Sequence, residues 1–193
     1  MAATITPVIL PVPETVRRMP PRERAIELSA LARRALARSA ERLGVPLGPL
    51  DTDERGAPIP FGAWFWSLSH KPHFAGAVLA PAAVGLDIEA IRPVAPGLRR
   101  RTAAEQEWAL LPEGDPEVTF FRCWTAKEAV LKTGGEGIRD WTRCRIRRVI
   151  DERRLVLDYR DMLWPVEQFF FKDHIASIAG SGFQVKWHLL DGP

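Results

Sequence analysis

The chain has 193 residues, 46% of them hydrophobic and 26% charged, with 27 Lys and Arg against 24 Asp and Glu and a net charge of +3. That apolar share excludes a globally disordered chain, no apolar run approaches the ~18 residues of a membrane span, and Met1 to Leu10 lacks the basic and long apolar regions of a secretory signal. The 22 Arg and 5 Lys are nearly balanced by acids in both halves, which argues against a uniformly basic nucleic-acid binder, and Cys123 and Cys144 form no CxxC pair, so a reducing, cytoplasmic location is expected.

In chain order, Pro20 and Pro21 open a long helix predicted over 21–43, and Gly44 stops it. Leu28, Leu31, Ala35 and Leu36 give it an apolar stripe, with Arg33, Arg34, Arg38 and Arg42 mostly off that stripe. The Pro-, Gly- and Asp-rich stretch 44–60 reads as loop. Two strands are predicted over 74–80 and 84–89, joined at Pro81-Ala82-Ala83. A short helix over 103–111 and a stronger one over 120–133, closed by Gly134-Gly135, come next. The remainder reads as strands over 145–150, 154–159, 174–179 and 183–190.

A weak repeat emerges when the chain is slid against itself by 101 residues. His73-Phe74-Ala75-Gly76-Ala77 then lies over His174-Ile175-Ala176-Ser177-Ile178, and Val84, Leu86 and Ile88 fall over Val185, Trp187 and Leu189. The same shift lays the helix at 25–31 over the helix at 126–132. Each half is thus expected to be a helix followed by a hairpin, an α+β unit whose sheet buries one face on the helix, with the halves at 1–90 and 91–193. Asp87 and Glu89 of the first copy become His188 and Leu190 in the second.

Those two acids start the chemistry. In Val84-Gly85-Leu86-Asp87-Ile88-Glu89, strand periodicity sends Leu86 and Ile88 to one face and Asp87 and Glu89 to the other. Adjacent carboxylates repel unless a cation or solvent relieves them. They suit Mg²⁺, or equally a half-exposed edge strand with solvated acids. On the helix over 120–133, Glu128 falls within the stripe of Trp124 and Leu131 at 100° per residue. A buried carboxylate needs a partner or a metal. An i,i+4 pair with Lys132, worth about 0.3–0.5 kcal/mol on a surface, does not explain it. Two of the five lysines, Lys127 and Lys132, flank this glutamate, so three acids and two lysines point to a site for Mg²⁺ and a polyphosphate. Ser67-Leu68-Ser69-His70 reads as a structural cap or, beside such a site, as a donor to phosphate.

Taken in order, Ser-Leu-Ser-His at 67–70, Val-Gly-Leu-Asp-Ile-Glu at 84–89 and Trp-Thr-Ala-Lys-Glu-Ala-Val-Leu-Lys at 124–132 resemble the motifs of the 4′-phosphopantetheinyl transferases. The two-lobed type typified by the surfactin-synthetase activator fits better than the short trimeric holo-acyl-carrier-protein synthases, and the resemblance runs from about Gly56 to Gly137. It implies a monomer of two pseudo-twofold-related α+β lobes with one active site between them. The implied reaction moves the 4′-phosphopantetheine arm of coenzyme A to a serine of an apo carrier protein and releases adenosine 3′,5′-bisphosphate. By the same resemblance Asp87, Glu89 and Glu128 are the Mg²⁺ ligands, and Lys132 and Lys127 contact coenzyme A phosphates. Ser69 and His70 match positions that hold the 3′-phosphate, and Glu105 matches a glutamate proposed as base. The N-terminal helix is expected to present a basic residue to that phosphate, with Arg33, Arg34 and Arg38 as candidates.

The chain departs from the family at two points. Gly56-Ala57-Pro58 stands where Gly-Lys-Pro is usual, leaving Arg55 as the substitute cation, and Lys71 stands where a serine usually follows the Ser-His pair. Carrier proteins are typically acidic, so Arg99, Arg100 and Arg101 are the expected docking patch. Two other readings stand beside the enzyme: a degenerate homologue that binds coenzyme A without turnover, and an arginine-rich polyanion-binding adaptor.

Overall fold

Proline and glycine punctuation fixes the first long element as expected. The computed structural model describes residues 3–135 and 137–190. In it, strands β1 (Ala3–Ile5) and β2 (Val8–Pro11) and the single turn α1 (Glu14–Arg17) precede α2 (Pro21–Leu43). Gly44 ends α2 in the left-handed region, at φ 67°, where a glycine carries no steric penalty. Next come β3 (Phe65–His70), β4 (Phe74–Ala80), β5 (Val84–Ala90), α3 (Pro96–Thr102), α4 (Glu105–Trp108) and α5 (Pro116–Thr133). A 3₁₀ segment (Gly137–Arg143) leads to β6 (Arg145–Val149), β7 (Arg154–Tyr159), β8 (Met162–Phe171), β9 (His174–Gly180), β10 (Phe183–Val185) and β11 (His188–Leu189). Helix α5 starts a turn earlier than expected because the Asp115 carboxylate accepts from the amides of Glu117 and Val118.

The fold is α+β, with each long helix laid on a small sheet. Helix α2 buries Ala35 and Leu36 against Val8, Ala77 and Leu79, and Leu28 and Leu31 against Val12 and Ala75. Helix α5 buries Phe121, Ala126 and Val130 against Leu155, Leu157 and Ala179. Among the described residues the two larger sheets run β11-β2-β4-β3 and β5-β9-β8-β7-β6, and β1 and β10 form a third of two strands. His73 and His174, which the repeat superposes, meet edge to face with ring centroids 5.8 Å apart.

The expected hairpins do not form. Strand β5 leaves β4 and pairs antiparallel with β9, with Asp87 opposite Ser177 and Glu89 opposite Ile175. At the other end, β10 pairs with β1 and β11 with β2. Each half therefore sends its last strands to strands of the other half. The apolar face of β5 explains the crossing. Leu86 packs with Val78 and Ile178, and Ile88 with Ile9, Phe74 and Ala176, so both close the seam between the sheets. The opposite face of β5 is left for α5. Gly85 permits the approach: a Cβ there would stand 1.9 Å from the Ala129 carbonyl oxygen.

Candidate active site

The Ser-Leu-Ser-His segment is β3, and its serines join the two sheets. Ser67 Oγ accepts from the Leu86 amide at 2.9 Å and Ser69 Oγ accepts from the Ile88 amide at 3.1 Å. Ser69 Oγ also donates to Asp87 Oδ1 at 3.1 Å. Ser69 is buried, and its single proton is spent on Asp87. The hydroxyl expected to meet a phosphate is thus directed at the Asp87 carboxylate.

Around Asp87 some of the expected groups converge. Lys132 Nζ lies 2.8 Å from Asp87 Oδ1 and 2.9 Å from the Leu86 carbonyl oxygen. Glu128, one turn earlier on α5, faces the same place, and burial together with the Asp87 charge pushes its carboxyl up to about 7. Glu89 turns instead to Lys71, with Nζ 2.7 Å from Oε1. His70 stands at the rim, its pKa lowered by partial desolvation and by the charges of Lys132 and Lys71. Ser29, Leu68, Ser69, His70, Lys71, Asp87, Glu128 and Lys132 line a cavity of about 280 Å³.

The donor set suits a hard divalent cation. Asp87 is fully buried and its Oδ2 receives no donor other than the Glu128 carboxyl when that group is protonated; a cation held between the two carboxylates would take the place of that proton. Among the described residues, however, no three His, Cys, Asp or Glu side chains are gathered closely enough to hold an ion. Two of the three expected ligands are held by ammonium groups, Asp87 by Lys132 and Glu89 by Lys71.

A second cavity, also about 280 Å³, shares Leu68 and Lys132 with the first and is lined by Arg33, Arg55, Gly56, Ala57, Pro58 and Trp66 among others. Of the three arginine candidates on α2, only Arg33 lines it. Arg38 is paired with Glu41 and lines a separate cleft with Arg42 and His188. Arg55 sits on the same turn as the Gly-Ala-Pro departure, a turn held by Asp53, whose Oδ1 accepts from the amides of Arg55 and Ala57.

Lys127 and Glu105 do not join this cluster. Lys127 points off the opposite side of α5 and is 1% exposed. Its ammonium is 2.7 Å from Glu107 Oε1 and donates to the Thr102 carbonyl at 3.0 Å. Glu105 is exposed on α4 and lines neither cavity. Two residues on, Glu107 is the buried carboxylate, accepting from the amides of Ala104 and Ile146 as well as from Lys127. The sequence held a signal for it: Ala103, Glu107 and Leu111 recur every four residues, so Glu107 shares the apolar face and Glu105 does not. A larger cavity, about 730 Å³, opens on this side and is lined by Glu107, Lys127, Arg100, Arg101, Arg145 and Arg147 among others. Arg99 is engaged nearby, its guanidinium 4.4 Å over the Trp108 ring.

A model of the 4′-phosphopantetheinyl transferase superfamily matches residues 83–179, about half of the chain, and the chain belongs to that superfamily. The match takes in β5 and α5, the two elements that carry Asp87, Glu89, Glu128 and Lys132. Among curated proteins, the chain is 37% identical over 110 residues to 4′-phosphopantetheinyl transferase HetI of Nostoc sp. (strain PCC 7120 / SAG 25.82 / UTEX 2576), covering 50% of this chain and 46% of that protein. It is 38% identical over 108 residues to 4′-phosphopantetheinyl transferase Svp of Streptomyces mobaraensis, covering 51% and 44%. To 4′-phosphopantetheinyl transferase psf-1 of Bacillus pumilus it is 31% identical over 93 residues, covering 46% and 40%. The matched stretch spans less than half the length of each relative. No helix among the described residues is long and apolar enough to cross a membrane.

Proposed function

We propose that the chain transfers the 4′-phosphopantetheine moiety of coenzyme A to a serine of an apo carrier protein. One observation carries the reading. The superfamily match takes in β5 and α5, and these bring Asp87, Glu128 and Lys132 together beside a cavity lined by Arg33 and Arg55. In the reaction the serine oxygen bonds to the phosphorus next to the pantetheine arm, with loss of the hydroxyl proton. The bond from that phosphorus to the bridging oxygen breaks, and adenosine 3′,5′-bisphosphate leaves.

Each residue has a part in this reading. Asp87, Glu89 and Glu128 hold Mg²⁺, which when bound neutralises charge on the pyrophosphate. Lys132, already 2.8 Å from Asp87, is the point charge for the pyrophosphate oxygens. Arg33 and Arg55, with His70 at the rim, receive the nucleotide and its 3′-phosphate. Ser69 acts as a positioning residue through Asp87. The halves 1–90 and 91–193 are the two lobes, the site lies between them, and the working compartment is the cytoplasm. Arg100 and Arg101, beside Arg145 and Arg147, form the docking face for an acidic carrier. The nucleophile belongs to the partner, which accounts for the lack of any call on a serine of this chain as attacking group.

The test is the leaving group. Incubation with coenzyme A, Mg²⁺ and an apo carrier protein should release adenosine 3′,5′-bisphosphate, measured chromatographically, only when the carrier is present. Coenzyme A binding without release across several carriers would instead support a binding-only homologue.

A further inference from the structure

Lys71 is the one charged group of the cleft that the proposed chemistry leaves without a part. Its ammonium lies 2.7 Å from Glu89 Oε1, and the two side chains are 29% and 8% exposed, so the pair is largely sheltered. It lines the same cavity as Asp87, Glu128 and Lys132. The same ammonium also feels the charges of Asp87 and Glu128, and no three carboxylates are gathered for an ion among the described residues. A divalent ion and an ammonium group cannot both sit on one sheltered carboxylate without strong repulsion.

We propose that Lys71 is a displaceable counter-ion for Glu89. It occupies this carboxylate while the cleft is empty, competes with the divalent ion for it, and is released toward the phosphates when coenzyme A enters. Metal and coenzyme A then load together, because the pyrophosphate takes over the charge that the metal expels from Glu89. Residue 71 thus sets how strongly metal binding depends on the nucleotide. The inference rests on the reading of Asp87, Glu89 and Glu128 as the metal site, and it assigns a role to a residue outside that set.

Mn²⁺ binding to the chelator-stripped full chain, followed by the paramagnetic resonance of free Mn²⁺ without carrier or turnover, tests it. Without coenzyme A, Lys71→Ser should bind Mn²⁺ about fivefold or more tightly than the wild type, while Lys71→Arg, which keeps the charge, should stay close to the wild type. Adding coenzyme A should narrow the gap, tightening the wild type more than Lys71→Ser. Equal Mn²⁺ affinity in Lys71→Ser and wild type overturns the role of Lys71 and leaves the metal reading standing. No Mn²⁺ binding by either protein, with or without coenzyme A, overturns both. Lys71→Met retains the apolar stem and serves if the serine variant does not fold. If neither folds even in Mn²⁺, Lys71 is a fixed structural ion and the proposal fails.

Discussion

Glu128 shows how one side chain ties stability to the site. Its carboxyl is raised to about 7 by burial and by the Asp87 charge, against an ordinary 4.5. A folded-state value above the unfolded one means that the stabilising contribution is full below about pH 4.5 and is lost as pH rises through 7. In chelator, Glu128→Gln should therefore melt above the wild type at pH 8 by a few degrees, on the order of 1–2 kcal/mol after allowing for its half-open position, and the gap should close by pH 5. Thermal melts at the two pH values check this, and a gap independent of pH would contradict it. If Glu128 is a metal ligand as proposed, the same variant should lose transfer activity with its fold intact.

The elements show why the site forms where it does and how much of it was legible. Helix α2 was readable end to end, because Pro21, Gly44 and the stripe of Leu28, Leu31, Ala35 and Leu36 are all local signals. Periodicity was enough to put Asp87 and Glu89 on one face of β5 and Glu128 on the inner stripe of α5, but not to show that Glu89 turns to Lys71. The crossing of β5 was not readable, since its partner β9 lies some ninety residues on and the choice between β4 and β9 is settled by packing of Leu86 and Ile88 in the seam. Nor was β8, whose Pro165 argues against a strand. That proline is tolerated because it pairs only toward β7, β9 beginning its pairing at Val166. The place of Lys127 was not legible either: its neighbours in sequence face the cleft while its own ammonium is claimed by Glu107 from α4. Gly85→Ala tests the element contact directly. Its Cβ would strike the Ala129 carbonyl and crowd Lys132 Cβ at 3.1 Å, so β5 and α5 must separate. A loss of about 3 kcal/mol or more is expected in denaturant unfolding, together with weaker coenzyme A binding. A variant of wild-type stability would show that the two elements are not so tightly opposed.

At the scale of the whole molecule, the near-neutral balance of 27 basic and 24 acidic residues hides two distinct charged faces. Helix α5 separates them: Glu128 and Lys132 face the cleft, while Lys127 faces the arginine-lined cavity. If that second face receives the acidic carrier, a double reversal, Arg100→Glu with Arg101→Glu, should raise KM for the carrier about tenfold or more at low salt and leave coenzyme A affinity unchanged. Steady-state kinetics with the carrier varied, beside calorimetry with coenzyme A alone, separates the two effects. A fall in coenzyme A affinity would place the arginines at the nucleotide instead.

The central claim is that this pair of sheets, stapled by Ser67 and Ser69 and closed by α5, moves a phosphopantetheine arm onto a partner's serine. Intact mass spectrometry of an apo carrier protein, incubated with the chain, coenzyme A and Mg²⁺, tests it most directly. The account predicts a single added phosphopantetheine on the carrier, lost when its acceptor serine is replaced and lost with Glu128→Gln. An unmodified carrier under conditions where the folded chain binds coenzyme A, across carriers of several classes, would contradict it.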